Sequence, residues 1–237
     1  MKIFWTNGKP NFGDQLTPYI FNYFNIPYSM SDKLGECQAM CIGSIAHKAT
    51  NNMIVLGSGL MFENKFPVNP NADYKFVRGP YTRQKILDVN GNCPEIYGDP
   101  AMLLPLLCEE SKKEYDVGIV PHYVDYEYTK KTYPNYKIIN ILNTDPLLVA
   151  KEITKCKKII SSSLHGIIAA HAYNIPAAWV KFSNKVKGDD IKFKDHYAAL
   201  NLDPVVSTIE NPHFSKGRLN LRPVIEEFKN IKKHTTQ

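Results

Sequence analysis

The stretch KKIISSSLHGIIAAHAYNIP, residues 157–176, gathers the side chains best suited to chemistry. Ile159-Ile160 predicts a strand, Ser161 to His165 a loop, and Ile167 to Tyr173 a helix, with Gly166 allowing close backbone approach at the junction. Hydroxyls and free N–H groups at a helix N-terminus form a site for an anion. Ser161, Ser162, Ser163, Leu164 and Gly166 are therefore the expected anion-binding positions. His165 stands beside them, and imidazole is the side chain that ordinarily titrates nearest neutrality, as proton transfer at neutral pH requires. His171, further along the helix, reads as a core residue. The segment is not a G-x-S-x-G elbow, and no Asp lies close in sequence to make a Ser-His-Asp set.

Three more places share the strand-to-loop-to-helix pattern. Arg78 ends YKFVRG, and Gly79-Pro80 opens the next helix, so its guanidinium fork suits a carboxylate or phosphate; a surface ion pair is the alternative. His122 occupies the matching place after DVGIVP. Near the start, Leu16, Tyr19, Ile20, Tyr23 and Phe24 recur at helical spacing and Thr17-Pro18 makes a suitable helix opening. That leaves Asn11, Gly13 and Asp14 in the preceding loop, where Asp14 either caps the helix or accepts hydrogen bonds from a ligand.

The elements that must hold these residues alternate in type. Short β-rich runs (KIFWT, AMCIGS, MIVLGSG, YKFVRG, PEIYGD, YDVGIVPH, YKIINI, KKIISSS, AAWVKFS) alternate with helical patterns, which predicts an α/β fold of parallel sheets with crossover helices. The polar stretch CEESKKEYD, residues 108–116, reads as a linker between two Rossmann-like domains, 1–110 and 111–237. Ligands of such sheets bind beyond the carboxyl ends of the strands. GSGLMF, residues 57–62, has two glycines only and reads equally as a turn or a phosphate loop.

Bulk properties exclude several classes. A chain of 237 residues with 43% hydrophobic and 22% charged residues is an ordinary globular composition. The net charge of +6 favours anionic partners. Its basic clusters, 181–194 and 216–233, lack the aromatic interleaving of an RNA-binding sheet, which argues against nucleic acid. Five cysteines without a CxxC pair read as reduced thiols and offer no metal site. The N-terminus lacks the apolar run of a signal peptide and no segment is long and apolar enough to span a bilayer, so the expected location is cytoplasmic.

Taken in order, NFGDQL, LGSGL, VRGPYTR, GDPAMLLP, VPHY, SSSLHGIIAAHAYNIP and KFSNKVKGDDIKFKDHYAAL resemble the polysaccharide pyruvyl transferase family, in its short succinoglycan-type branch, over roughly residues 3–200. The resemblance implies two Rossmann-like domains facing a cleft, similar to GT-B glycosyltransferases. It also implies transfer of pyruvyl from phosphoenolpyruvate to two hydroxyls of one sugar, giving a cyclic ketal and phosphate, with no cofactor and no metal. His165 becomes the proton donor or base, with Arg78 and His122 as catalytic partners that hold phosphate and carboxylate, while Asn11, Gly13 and Asp14 face the acceptor. The family's Arg-x-His maps onto Ser163-Leu164-His165, so the arginine is absent, and Arg78, His122, Lys192 and Lys194 are its candidate substitutes. The acceptors of the family include polyprenyl-diphosphate-linked sugars, which would bring the protein to the inner face of a membrane. Val224, Phe228 and Ile231, with Lys229, Lys232 and Lys233, form a stripe that would either meet the membrane or dock on the other domain. A nucleotide-sugar glycosyltransferase and an inactive carbohydrate-binding relative are the competing readings.

Overall fold

The computed structural model describes residues 1–5 and 11–235; Thr6, at the end of the first expected strand run, lies outside them. The first unit contains β1 (Lys2–Phe4), α1 (Leu16–Tyr23), β2 (Ser29–Ser31), β3 (Ala39–Met40), β4 (Ile54–Leu56), β5 (Asp73–Phe76), α2 (Pro80–Leu87) and α3 (Leu104–Leu107). The second contains β6 (Tyr115–Val120), α4 (Tyr126–Thr132), β7 (Lys137–Ile138), α5 (Pro146–Thr154), β8 (Cys156–Ser161), α6 (Leu164–Ala172), β9 (Ala177–Val180), α7 (Ile191–Ala199), β10 (Val206–Ser207) and α8 (Arg222–Thr235). Residues 108–114 carry neither helix nor strand and join the two.

Both sheets have five parallel strands, in the orders β2-β1-β3-β4-β5 and β10-β9-β8-β6-β7. Numbered within each unit, both follow 2-1-3-4-5, although the sequence shows no internal repeat. In this order the chain reverses its direction of growth between the first and third strands, and the loops leaving those strands open a crevice. The two crevices therefore lie beyond β1 and β3, and beyond β6 and β8.

Apolar residues account for the pairing of the units. α1 buries Leu16, Ile20 and Phe21, and these belong to one continuous core with Met102, Leu103 and Leu104 of the first unit and Ile167, Ile168 and Ala170 of α6. The α8 stripe closes the structure: Val224, Phe228 and Ile231 are buried, and Phe228 stacks on Phe24 at 4.9 Å between ring centres and meets Phe21 and Phe76 edge-on. A stripe spent on the first unit is not available to a bilayer. Among the described residues no helix is long and apolar enough to cross one.

The structure also revises local expectations. α1 begins at Leu16 after Gln15, so Thr17 lies inside the helix, and Pro18 is tolerated in its first turn, where its missing N–H breaks no helical bond. PEIYGD contributes only an isolated bridge, Val77 to Tyr97, and β2 and β10 are short edge strands without the expected apolar signal. All five cysteines are buried and free.

Candidate active site

The two crevices face one cavity of about 430 Å³, within the range of small-ligand sites. Asn11 and Asp14 enter it from the loop after β1, and Ile42 to Ser44 from the loop after β3. His122 and Tyr123 enter from the loop after β6, and Ser163 to His165 from the turn after β8, while Lys187 and Lys192 enter from the approach to α7 and its first turn.

α6 begins earlier than the sequence pattern indicates. Ser163 has an extended backbone (φ −100°, ψ 127°) and makes no side-chain capping bond, so Leu164 and His165 occupy the first turn of the helix. The three serines divide their work. The Ser161 hydroxyl lies 2.7 Å from the Val120 carbonyl and accepts from the Ser163 N–H at 3.0 Å. Ser162 Oγ accepts from the His122 N–H at 2.9 Å and donates to Asp125 at 3.2 Å. Both are therefore internal struts, and of the expected anion-binding residues Ser163 and Leu164 line the cavity. Gly166 packs rather than binds: a Cβ there would come within 2.5 Å of Ser161 Oγ and 2.7 Å of Val120.

His165 is held on two sides. A Cβ on Gly13 would lie 2.1 Å from His165 Nδ1, so only glycine lets the β1 loop pass against the imidazole. Asp99, fully buried, places Oδ2 3.6 Å from His165 Nε2, while its Oδ1 accepts from the Ala101 N–H at 3.0 Å. At 3.6 Å the two groups face each other beyond hydrogen-bond distance, and neither atom has a hydrogen-bond partner among the described residues. Nε2 is thus directed to Asp99, and exchange with a ligand falls to Nδ1. Asp99 follows Gly98 in GDPAMLLP; its placement beside His165 is the feature that sequence reasoning missed.

Asp14 completes the cluster. Its carboxylate accepts from Asn11 Nδ2 at 2.7 Å, and Asn11 Oδ1 accepts from the Gly13 N–H at 3.2 Å. Burial raises the Asp14 carboxyl above its ordinary range, against the pull of His165 and with a further push from Asp99. A carboxylate raised in this way is a stronger base.

The cations are arranged differently from expectation. Arg78 is fully buried and outside the cavity lining: Nη1 donates to Ser44 Oγ at 2.9 Å, Nη2 to the Leu60 carbonyl at 2.8 Å, and Nε lies 3.2 Å from Asp195 of α7. Asp195 also accepts from the N–H and hydroxyl of Thr82 in α2 at 3.0 and 2.6 Å. Arg78 thus locks the two units together and reaches the cavity only through Ser44. The Leu60 carbonyl within GSGLMF serves this lock, while Met61 and Phe62 of the same segment line the cavity. Lys194 is exposed on α7 and does not line the cavity.

Lys192 does line it, donating to the Lys187 carbonyl at 2.7 Å. Burial, and then Arg78, push its ammonium down to about 8, with Asp190 opposing, so it remains cationic at neutral pH. Burial and then Lys192 push His122 down to about 4, with Asp125 opposing, so His122 is a neutral imidazole rather than the expected cation. Its Nδ1 lies 3.4 Å from the Val124 N–H. Among the described residues no group of three or more His, Cys, Asp or Glu is placed to hold a metal.

The amino-acid sequence is similar to those of known proteins. The polysaccharide pyruvyl transferase model covers residues 29–184, more than half of the chain. The chain belongs to the polysaccharide pyruvyl transferase family. It is 33% identical over 198 residues to uncharacterized protein L143 of Acanthamoeba polyphaga mimivirus, covering 73% of this chain and 69% of that protein. It is 25% identical over 213 residues to the succinoglycan biosynthesis protein ExoV of Rhizobium meliloti, covering 84% of this chain and 64% of that protein. The chain therefore spans about two thirds of the length of these relatives. No solved structure matches it. Ser163, the position at which the sequence resemblance leads one to expect an arginine, lines the cavity, and so does Lys192.

Proposed function

We propose that the chain transfers a pyruvyl group from phosphoenolpyruvate to two hydroxyls of one sugar in a surface polysaccharide or its lipid-linked repeat unit, forming a cyclic ketal and releasing phosphate. The observation that carries this reading is the joint presence, on one cavity, of the uncapped α6 N-terminus, the Lys192 ammonium and the His165–Asp99 pair. An enol phosphate needs all three: N–H groups and a cation for its negative charge, and a proton source for its methylene carbon.

The step balances without an oxidant or cofactor. His165 delivers a proton from Nδ1 to the methylene carbon, which becomes a methyl group, while Asp99 stabilises the imidazolium in the direction of Nε2. The first sugar hydroxyl bonds to C2 and yields its proton to Asp14. The C2–O bond to phosphate then breaks, the second hydroxyl closes the ring on C2, and its proton leaves with the phosphate. Asp14 then returns its proton to His165, which restores both groups. Neutral His122 donates a hydrogen bond to the donor carboxylate or phosphate without adding charge.

The test is stoichiometric. The full chain is incubated with phosphoenolpyruvate and a panel of oligosaccharides, and the reading predicts one inorganic phosphate released for each acid-labile pyruvate ketal formed on an acceptor. Phosphate release without ketal formation, or reaction with uridine diphosphate sugars in place of phosphoenolpyruvate, would contradict it.

A further inference from the structure

The cavity deepens from the first unit toward the second: Phe66 on its outer wall is 40% exposed, whereas the His165 side chain is 13% exposed. That outer wall is built from the first unit's loops. His47 comes from the connection between β3 and β4, Phe62 and Phe66 from the connection between β4 and β5, and Trp5 follows β1. The His47 and Phe66 rings stack with centres 4.7 Å apart and planes 17° apart, and Phe62 meets Phe66 edge-on at 5.8 Å. The Lys65 ammonium lies 4.7 Å from the centre of Phe62 and 5.5 Å from that of Phe66, and Lys48 lies 5.2 Å from the centre of Phe4.

These rings do not serve the core. Trp5, His47, Phe62 and Phe66 belong to none of the three hydrophobic clusters. Their loop is nevertheless fastened: the Glu63 N–H donates to Asp189 across the cleft at 2.8 Å, and Lys85 donates to Asn64 at 2.8 Å. Burial, with Lys48 and Lys187 adding to it, lowers the His47 imidazole below its ordinary range and keeps it a neutral ring. A fastened aromatic stack that shares the cavity with the Lys48 ammonium suits the C–H face of a pyranose that carries an acid.

The geometry points to a second saccharide subsite on this wall, so that the acceptor is an oligosaccharide. Its pyruvylated sugar lies at Asn11 and Asp14, and its neighbouring, acidic sugar lies on the His47–Phe66 stack beside Lys48. The inference rests on the pyruvyl-transfer reading for the inner end of the cavity and adds what the outer end recognises.

The full chain and its Phe66→Ala and His47→Ala variants are applied to an array of neutral and acidic mono-, di- and tetrasaccharides. Phosphoenolpyruvate affinity and the thermal midpoint are measured alongside. The wild type should bind acidic di- and tetrasaccharides at least about tenfold more tightly than their component monosaccharides. Both variants should lose that gain while keeping donor affinity and thermal midpoint. Equal binding of mono- and oligosaccharides, a preference for neutral oligosaccharides, absence of array binding, or unchanged binding by both variants would overturn the subsite. Retained oligosaccharide binding with no phosphoenolpyruvate binding would instead sink the donor reading and leave the subsite standing.

Discussion

The crevice beyond β1 and β3 and the crevice beyond β6 and β8 have the same strand order and opposite chemistry. The first presents a raised carboxylate, Asp14, its partner Asn11 and a wall of aromatic rings. The second presents an uncapped helix start, a buried ammonium and two histidines. In the proposed reaction the first crevice would meet hydroxyls and the second negative charge, with His165 at the seam, packed on Gly13 of the first unit and facing Asp99. The difference lies in the loops, because the strand order supplies only the crevice.

The sharpest way to break this division is at the seam. His165→Ala should lower kcat by about 10² to 10⁴, and Asp99→Asn by less, both with phosphoenolpyruvate affinity retained. A fall below threefold for His165→Ala would remove its proton-transfer role. Steady-state kinetics together with donor calorimetry separate the two effects.

The lock between the crevices comes next. Removing Arg78 leaves the buried Asp195 carboxylate with Thr82 but without its counter-charge, so Arg78→Ala should destabilise the protein by about 3–5 kcal/mol in urea unfolding. Arg78→Lys should not restore it, because an ammonium cannot bridge Ser44, Leu60 and Asp195 as the guanidinium does. A stable Arg78→Ala protein with weakened donor binding would return Arg78 to the role expected from sequence.

A smaller effect concerns acid. His171 Nε2 faces the Ser215 carbonyl at 3.2 Å, so it must donate, and its Nδ1, 3.0 Å from His196 Nε2, must accept. That pattern is the one neutral rings make, and burial favours the neutral form at both positions. Burial pushes His171 down to about 4 and His196 well below its ordinary range, the latter also lowered by His171, Arg78 and His165. A histidine with a lowered folded pKa binds its proton more readily when unfolded, so stability is full above about 6.5 and falls as the pH drops toward 4. His171 alone would account for about 3 kcal/mol across that window. Thermal melts from pH 7 to 4 should show a steep fall in the wild type and a shallower one in His171→Gln; parallel curves would contradict the assignment.

Much of this was legible in the chain. The alternation of apolar runs and helical patterns indicated two parallel sheets, because buried central strands such as β6 and β8 must be apolar on both faces. The cavity-lining positions of His122, Ser163 and His165 were legible because each sits just past a strand, and those of Asn11 and Asp14 because they precede α1. Asp99 and Asp195 were not, since each acts on a residue distant in sequence and only the packing of the units brings them together. The same blindness made Arg78 read as a ligand contact: a guanidinium at a strand end looks available until its partners in other elements are known. β2 and β10 escaped notice because short, partly exposed edge strands need little apolar sequence.

The division of labour between the crevices is tested most directly by phosphoenolpyruvate calorimetry on Lys192→Met and Asp14→Asn, each measured at pH 7 and 9. The account predicts that Lys192→Met weakens donor binding about tenfold at pH 7. The wild type should lose affinity as the pH rises through about 8, and Asp14→Asn should bind the donor as well as the wild type or better. Donor binding that survives Lys192→Met unchanged, or that falls as far with Asp14→Asn as with Lys192→Met, would contradict it.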